Sequence, residues 1–470
     1  MADIRSVDEH LAEIVATVRP LDPIELPLSD AYGCVLTEDV TVPVALPSFD
    51  NSSMDGYAVR VADLEGADER YPAVLEVIGD APAGGDTPAP TVGPGRAVRI
   101  MTGAPLPPGA EAVVPVEWTD GGTGGGPAES MAGHGPVIGG EVRVHRPVSP
   151  GQHVRRRGGD VAAGALALAA GTLLTPPRIG LLAAVGRASV PVRPRPRVAV
   201  ISTGSELVQP GRPLAPGRIH DSNGFALAAA VREAGGEPYR VAAVVDDPVE
   251  LRAVLTDQMG RADLIITTGG VSVGAYDVVK AALSGPEAPP GSVEFHRLAM
   301  QPGKPQGFGV LVGAAGERVP LLALPGNPVS AYVSFELFVR PAMRVLAGRL
   351  DRHRPRARAV LAAEAPLTSP KGKRQFLRGA LAGTGYGAHV PDGPVGGSGR
   401  ADGSGGATGD LPGGPVSAAT EGLTVIPVGG AGSHLVAALA RADCLIVVPE
   451  DVTEVAPGTG VEVVLLDRDH

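Results

Sequence analysis

Asp277 and Lys280, three residues apart just past a glycine turn, are the side chains on which chemistry could rest. Residues at that spacing share a helix face, so a carboxylate and an ammonium stand together. They follow Leu264-Ile265-Ile266-Thr267, an apolar run of the kind that fills a strand buried on both faces. The run ends in Thr268-Gly269-Gly270, Gly274 follows, and Tyr276-Asp277 opens a helix-like segment. Strand, glycine turn and helix start together make an anion cradle. Glycines let the backbone approach, and free N–H groups at a helix start favour negative charge. The pair then suits a metal ligand and a phosphate clamp. The same residues also make a plain tight turn closed by a capping aspartate, and the motif alone does not choose.

Other polar clusters carry the same ambiguity. Asp55 stands at a constrained bend beside Gly56, in Asn51-Ser52-Ser53-Met54-Asp55-Gly56-Tyr57, and Asp-Gly by itself reads as a turn. Thr102, in Met101-Thr102-Gly103-Ala104-Pro105, either hydrogen-bonds a ligand oxygen or caps its turn. Arg155-Arg156-Arg157 is either a solvated turn or a reach toward an anionic partner.

The elements that must position these residues are an alternation of strands and helices from Arg197 onward. Val198 to Ile201 is a strand ending in Ser202-Thr203-Gly204-Ser205-Glu206, and Asp221-Ser222-Asn223 precedes a helix to about Ala234. Strands at Tyr239–Val245 and Asp263–Thr268 alternate with helices at Pro248–Met259 and Tyr276–Leu283. Phe295–Met300 and Phe308–Val312 form a hairpin pair, and Leu321–Leu324 enters a helix that Pro341 must kink or break. This spacing gives a parallel sheet, whose ligands bind beyond the carboxyl ends of the strands. Every polar cluster in this alternation falls at such an end, so Glu206, Asp221, Asp277, Lys280 and Lys304 are expected to converge.

Around this centre the chain opens with a helix. Ser6 to Glu9 fits a capping box, and Val7, Leu11, Ile14 and Val18 repeat at helical spacing. Asp120 to Pro136 has the composition of a flexible loop tip. From about Leu350, short strands separated by proline and glycine turns predict a small β-sheet or barrel. Gly383 to Gly422 is glycine-rich filler without periodicity, expected to be disordered. At 470 residues the chain is expected to form two to four domains. A net charge of −11 argues against nucleic acid as a partner. Cys34 and Cys444 make no metal-type pair and read as small core residues in a reducing compartment. No apolar signal core and no apolar run of about 18 residues occurs, which predicts a soluble cytoplasmic protein rather than a membrane one.

Taken together, these segments resemble the molybdopterin molybdenumtransferases, the bacterial MoeA type also found as the E domain of gephyrin. The resemblance rests on Asn51 to Ala58, Met101 to Pro105, Ser202 to Leu207 and Asp221 to Asn223. Gly269 to Asp277, Pro302-Gly303-Lys304-Pro305 and Leu324-Pro325-Gly326-Asn327-Pro328-Val329-Ser330 complete it, in the family's order. It implies a MoaB/MogA-like parallel-sheet α/β domain, flanking mixed α+β domains and a small C-terminal β-barrel. The implied boundaries are 1–26, 42–52 and 147–195 for an elongated dimerisation domain, and 27–41 and 53–146 for a mostly β lobe. The α/β domain takes 196–349, and 350–470 is the barrel with its insertion at about 383–422. It implies a homodimer that inserts molybdate into adenylylated molybdopterin as AMP leaves, with magnesium assisting. A molybdopterin adenylyltransferase would be a further partner.

The resemblance places Asp55, Thr102, Asp277, Lys280 and Lys304 in catalysis. Thr203, Gly204, Asp221, Asn223, Gly269, Gly270, Ser272, Gly274, Pro302, Pro305, Asn327 and Ser330 hold the pterin substrate, and Glu206, Asp221 and Asp277 the metal. The residue chemistry agrees. Cleaving a phosphoanhydride needs charge neutralisation and positioning more than a nucleophile. Carboxylates at strand ends can hold Mg²⁺ while phosphates supply its other oxygens. Lys304, between Pro302 and Pro305, and Ser330 at a helix start offer a dianion charge and N–H groups. Arg374 or Arg378 either closes the pocket or lies on a solvated strand. Gly159 stands where the family commonly has a glutamate. The alternatives are an adenylyltransferase, against which Asp55 and Thr102 on extra domains argue, and a non-catalytic scaffold, against which the intact acidic and lysine positions argue.

Overall fold

The computed structural model describes residues 4–85, 88–130, 139–271, 277–382 and 422–466. Ser272, Gly274 and, apart from Gly422, the expected insertion lie outside the described residues. The chain forms two compact units, one of residues 1–25, 33–37 and 191–470, the other of 26–32 and 38–190.

The first unit is built on one mixed sheet. Helix α1 (Val7–Thr17) starts as the sequence predicts: the Glu9 N–H donates to Ser6 Oγ at 3.1 Å and the Ser6 N–H to Glu9 Oε2 at 2.9 Å. In chain order follow β1 (Arg197–Thr203), α2 (Asn223–Glu233), β2 (Glu237–Val244), α3 (Pro248–Met259), β3 (Leu264–Thr268) and α4 (Val278–Ala282). Then come β4 (Gly291–Leu298), β5 (Pro305–Val312), β6 (Arg318–Leu324) and α5 (Pro328–Ser334). The sheet runs β4-β5-β6-β3-β1-β2, with Ile4–Arg5 added beside β4. β6, β3, β1 and β2 are mutually parallel, whereas β5 is antiparallel to both its neighbours. After β1 the chain goes first to one side, to β2, and then to the other, to β3. That reversal opens a crevice at the carboxyl ends of β1 and β3.

Side chains alternate across a strand, and this sheet uses both sides. Val198, Val200, Leu264 and Ile266 pack into a core with α1, α2 and α5. Ala199, Ile201 and Ile265 pack into a second core with α3 and α4. Two buried faces explain why these strands read as continuous apolar runs.

Pro341 does not break its helix. α5 passes through a π turn at Phe335–Val339 into α6 (Arg340–Leu346). Proline lacks the N–H that an α-helix interior requires, and the wider turn lets the ladder pass that gap. Within the same stretch Glu336 is buried, its Oε2 accepting from Arg340 Nε at 2.7 Å and Arg354 Nε at 2.9 Å.

The C-terminal region closes into the expected barrel. Arg374–Ala382, Thr424–Pro427, Arg356–Leu361, Gly460–Leu465 and Cys444–Val448 pair in that order, and the last pairs back to the first. Met300–Gln301, in the connection from β4 to β5, adds a parallel strand beside Arg374–Gln375. Cys34 and Cys444 are both buried, as small core residues.

The second unit contains a five-stranded sheet in the order Glu141–Val144, Ala73–Ala81, Arg96–Ile100, Gly56–Val59, Ala112–Pro115. The start of its glycine-rich loop is a turn built on Asp120. Asp120 is buried, and its carboxylate accepts the N–H groups of Gly122, Gly124 and Arg143, each at 2.9 Å. Glycine content made the segment look loose, while one aspartate gathers its donors. Residues 131–138 of that loop lie outside the described residues. Among the described residues, no helix is long and apolar enough to cross a membrane.

Candidate functional site

Three strand ends meet at the crevice of the first unit. β1 ends at Ser202-Thr203, β3 at Thr267-Thr268, and β6 runs into Pro325-Gly326. α2 stitches them together from its first turn. Asp221 is buried, and its Oδ1 accepts from Ser202 Oγ and from the Gly224 N–H, both at 2.9 Å. Asn223 Nδ2 donates to Thr268 Oγ1 at 2.9 Å and to the Gly326 carbonyl at 2.7 Å. Thr268 Oγ1 in turn donates to the Pro325 carbonyl at 3.0 Å. The polar residues at these strand ends therefore fix the frame as well as facing it.

The frame encloses a cavity of about 730 Å³. Of the residues singled out in sequence, Thr203, Gly204, Glu206, Asp221, Asn223, Gly269, Gly270, Pro305, Asn327 and Ser330 line it. Asp277, Lys280, Lys304 and Pro302 do not, so the expected convergence is partial. Asp277 sits at the start of α4, Lys280 is exposed one turn on, and Lys304 is half-buried, its carbonyl accepting the Leu298 N–H at 2.8 Å. Burial pushes the Asp277 carboxyl above its ordinary range, with Lys280 pulling the other way. Asp277 Oδ1 is buried without a hydrogen-bond partner. So is Asp221 Oδ2, which faces Arg240 Nη1 at 3.6 Å, and the Arg240 guanidinium lies over the Phe225 ring at 4.1 Å.

Gly269 shows why the turn needs glycine. Its φ is +98°, and a Cβ there would stand 2.4 Å from the Thr203 carbonyl oxygen. Gly95 also has positive φ, +69°, but open space around the missing Cβ. Gly95→Ala is expected to cost about 1–2 kcal/mol, the left-handed penalty alone. Gly269→Ala adds a clash with backbone and is expected to cost clearly more, read as the difference in urea midpoints. Equal losses would show that the turn can open to admit a methyl group.

Among the lining residues not singled out in sequence are Asp246 and His434. Asp246 exchanges hydrogen bonds with the loop after β1: its Oδ2 accepts the Ser205 N–H at 2.9 Å and its own N–H donates to Ser205 Oγ at 3.0 Å. His434 comes from the barrel. Its neighbour Ser433 accepts the Val329 N–H at 3.0 Å, which lays that loop against the first turn of α5. Arg378, buried, holds the same loop through the carbonyls of Val428, Gly430 and Gly432. Arg374 is committed elsewhere, donating to both oxygens of Asp8 at 2.8 Å and pairing with Glu450 at 2.9 Å.

The second unit brings its own pair together. Thr102 donates to Asp55 Oδ1 twice, from its N–H at 2.7 Å and from Oγ1 at 2.8 Å. The threonine thus orients the aspartate, and both residues are exposed. Within the arginine run, Arg156 Nη1 donates to Asp50 Oδ2 at 2.6 Å and the Arg157 N–H to Asp50 Oδ1 at 2.7 Å, so the run braces the same loop.

Residues 5–186 match the MoeA N-terminal region (domain I and II), 199–345 a probable molybdopterin binding domain, and 414–466 the MoeA C-terminal region (domain IV). The chain is 45% identical to molybdopterin molybdenumtransferase 2 of Mycobacterium tuberculosis (strain H37Rv), over 98% of this chain and 99% of that one. It is 35% identical to the molybdopterin molybdenumtransferase of Bacillus subtilis, over 77% and 80% respectively. Among solved structures it is similar to the molybdopterin biosynthesis MoeA protein of Pyrococcus horikoshii, with 30% identity, a TM-score of 0.68 and 99% of both chains covered.

Proposed function

The chain belongs to the molybdopterin molybdenumtransferase family, and from this premise we propose that it inserts molybdate into adenylylated molybdopterin as AMP is released. It is a transferase of molybdenum cofactor biosynthesis. The observation that carries the finer reading is the cavity at the ends of β1, β3 and β6. Its volume suits a substrate larger than a single nucleotide base, and carboxylates and glycine-turn backbone line its walls.

In this reading the pterin and its phosphates lie along Thr203, Gly204, Asn223, Gly269, Gly270, Asn327 and Ser330. Two buried carboxylate oxygens without hydrogen-bond partners, Asp221 Oδ2 and Asp277 Oδ1, fit an oxygen-seeking cation. Glu206, Asp221 and Asp277 are the residues that would hold Mg²⁺, and Asp246 joins them at the rim. Among the described residues no three of these carboxylates bring ligand atoms within 4.8 Å of one another, so waters and phosphate oxygens would have to supply the rest of the coordination. Bound there, Mg²⁺ would neutralise charge on the phosphoanhydride. Lys280 and Lys304 lie outside the cavity lining, so in this reading they reach the phosphates and the molybdate dianion from its margin, beside the lining Ser330, and Arg378 positions the loop that carries His434 to the cavity.

The test is AMP release from adenylylated molybdopterin by the purified protein. Release that requires molybdate supports the reading. Consumption of ATP with molybdopterin and no molybdate would mark an adenylyltransferase instead.

Asp55 and Thr102 enter the proposal through the homodimer, in which they face the partner's α/β cavity. Mixing Asp55→Ala with Asp277→Ala protein, after subunit exchange, is then expected to restore about a quarter of wild-type activity. Half the dimers are mixed, and each holds one intact site. No recovery despite exchange confirmed by mass, with one variant isotopically labelled, would place the whole site within one chain.

A further inference from the structure

On the edge of the first unit, away from the cavity, α1 and β4 bring three metal-type ligands together. Glu294 and His296 alternate along β4 and so share a face, and Glu13 reaches them from α1. One ligand atom from each of Glu13, Glu294 and His296 lies within 4.8 Å of the other two. His296 Nε2 is buried without a hydrogen-bond partner, and Glu294 Oε2 approaches it only to 3.4 Å. Behind it stands a second imidazole. His10 is 1% exposed, its Nδ1 also lacks a partner, and its ring meets that of His296 edge-on at 5.9 Å. Glu13 also pairs with Arg5, which offsets one of the two carboxylate charges.

A buried basic nitrogen left without a donor or acceptor carries a desolvation penalty, and coordination removes it. One imidazole with two carboxylates suits zinc and its neighbours, with water in the remaining position. Mg²⁺, which takes oxygen ligands, does not fit this set. We propose that Glu13, Glu294 and His296 form a site for one divalent transition-metal ion of the zinc class, riveting α1 to β4.

The experiment uses the full chain without a purification tag, carrying Glu206→Gln and Asp277→Asn to silence the cavity carboxylates. Zn²⁺ is titrated by calorimetry, and Co²⁺ by visible absorption. The site predicts one saturable equivalent, intense Co²⁺ bands of a four-coordinate ion, and a Tm that rises with Zn²⁺. His296→Gln and Glu294→Gln should each weaken binding by roughly tenfold or more and abolish the Tm response. Glu294 is largely exposed, so its variant keeps the test clear of misfolding. Unchanged affinity in both variants, or no saturable binding in the parent, would overturn the site. None of these readouts depends on the proposed reaction.

Discussion

Asp277→Asn is expected to retain adenylylated molybdopterin yet cut AMP release by roughly 10²–10³-fold at every molybdate concentration, the usual loss when a preorganised charge is removed. The reason lies in its position. Asp277 follows the turn through Gly269 and Gly270, which line the cavity, and its Oδ1 is buried without a hydrogen-bond partner. Asparagine keeps the shape and removes the charge, so docking survives and cleavage fails. Lys304→Ala should behave differently. A charge-assisted contact is worth about 1.5–3 kcal/mol, or roughly 10- to 150-fold in molybdate affinity, so excess molybdate should restore much of the rate. The measurement is AMP release against molybdate concentration for both variants. Rescue of Asp277→Asn by molybdate, with Lys304→Ala inactive throughout, would reverse the two roles.

Glu336→Gln is expected to produce a large loss of stability, about 3–5 kcal/mol, since removing one partner of a buried ion pair leaves the other charge uncompensated. Glu336 sits in the π turn between Arg340 and Arg354, and Arg354 Nη2 also donates to Glu233 Oε1 at 2.6 Å. Burial alone would raise the Glu336 carboxyl, but the two guanidinium groups outweigh it and hold it below its ordinary 4.5. An acid depressed in the folded state contributes stability that is present above the unfolded value. That contribution is lost as pH falls below 4.5 and through the depressed value. Wild-type protein should therefore lose stability in that acid window, and Glu336→Gln should show a shallower slope there. Glu233 ends α2 and Asn223 begins it, so the variant should also loosen the cavity frame. Urea unfolding at neutral and acid pH measures both effects, and a neutral-pH loss under about 1 kcal/mol would show a solvated, weakly coupled network.

What could be read in the sequence were features that neighbours along the chain decide. The capping box of α1, the doubly buried strands and the glycine turns at their ends all follow from local pattern. Asp246 escaped because it adjoins Asp247, whose side chain accepts the Val249 N–H at the start of α3, and the whole Asp-Asp-Pro run reads as a cap. His434 escaped because it reaches the cavity from the barrel, and no local pattern records that contact. The arginine pair could not be resolved locally either. Arg374 is held by Asp8 near the other end of the chain, while Arg378 holds backbone carbonyls close by in the barrel. Asp120 was legible as loop but not as its organiser, because a buried carboxylate among glycines looks the same on paper as an exposed one.

The connection between β4 and β5 has one further consequence. It is shared property: Ala299 accepts the Arg374 N–H while its own N–H donates to Arg5, and Met300–Gln301 is a strand of the barrel. Lys304 follows within the same few residues. The barrel strand Arg374–Ala382 is thus tied to the first sheet's connection beside Gln301, while past Ala382 the chain leads into the glycine-rich stretch. For anyone wishing to attach a fluorophore, an affinity handle or a whole guest domain, the two ends are not equivalent. Cargo introduced beyond Ala382 leaves that tie untouched, whereas a single extra residue near Gln301 would shift the register of two sheets and the loop of Lys304 with them.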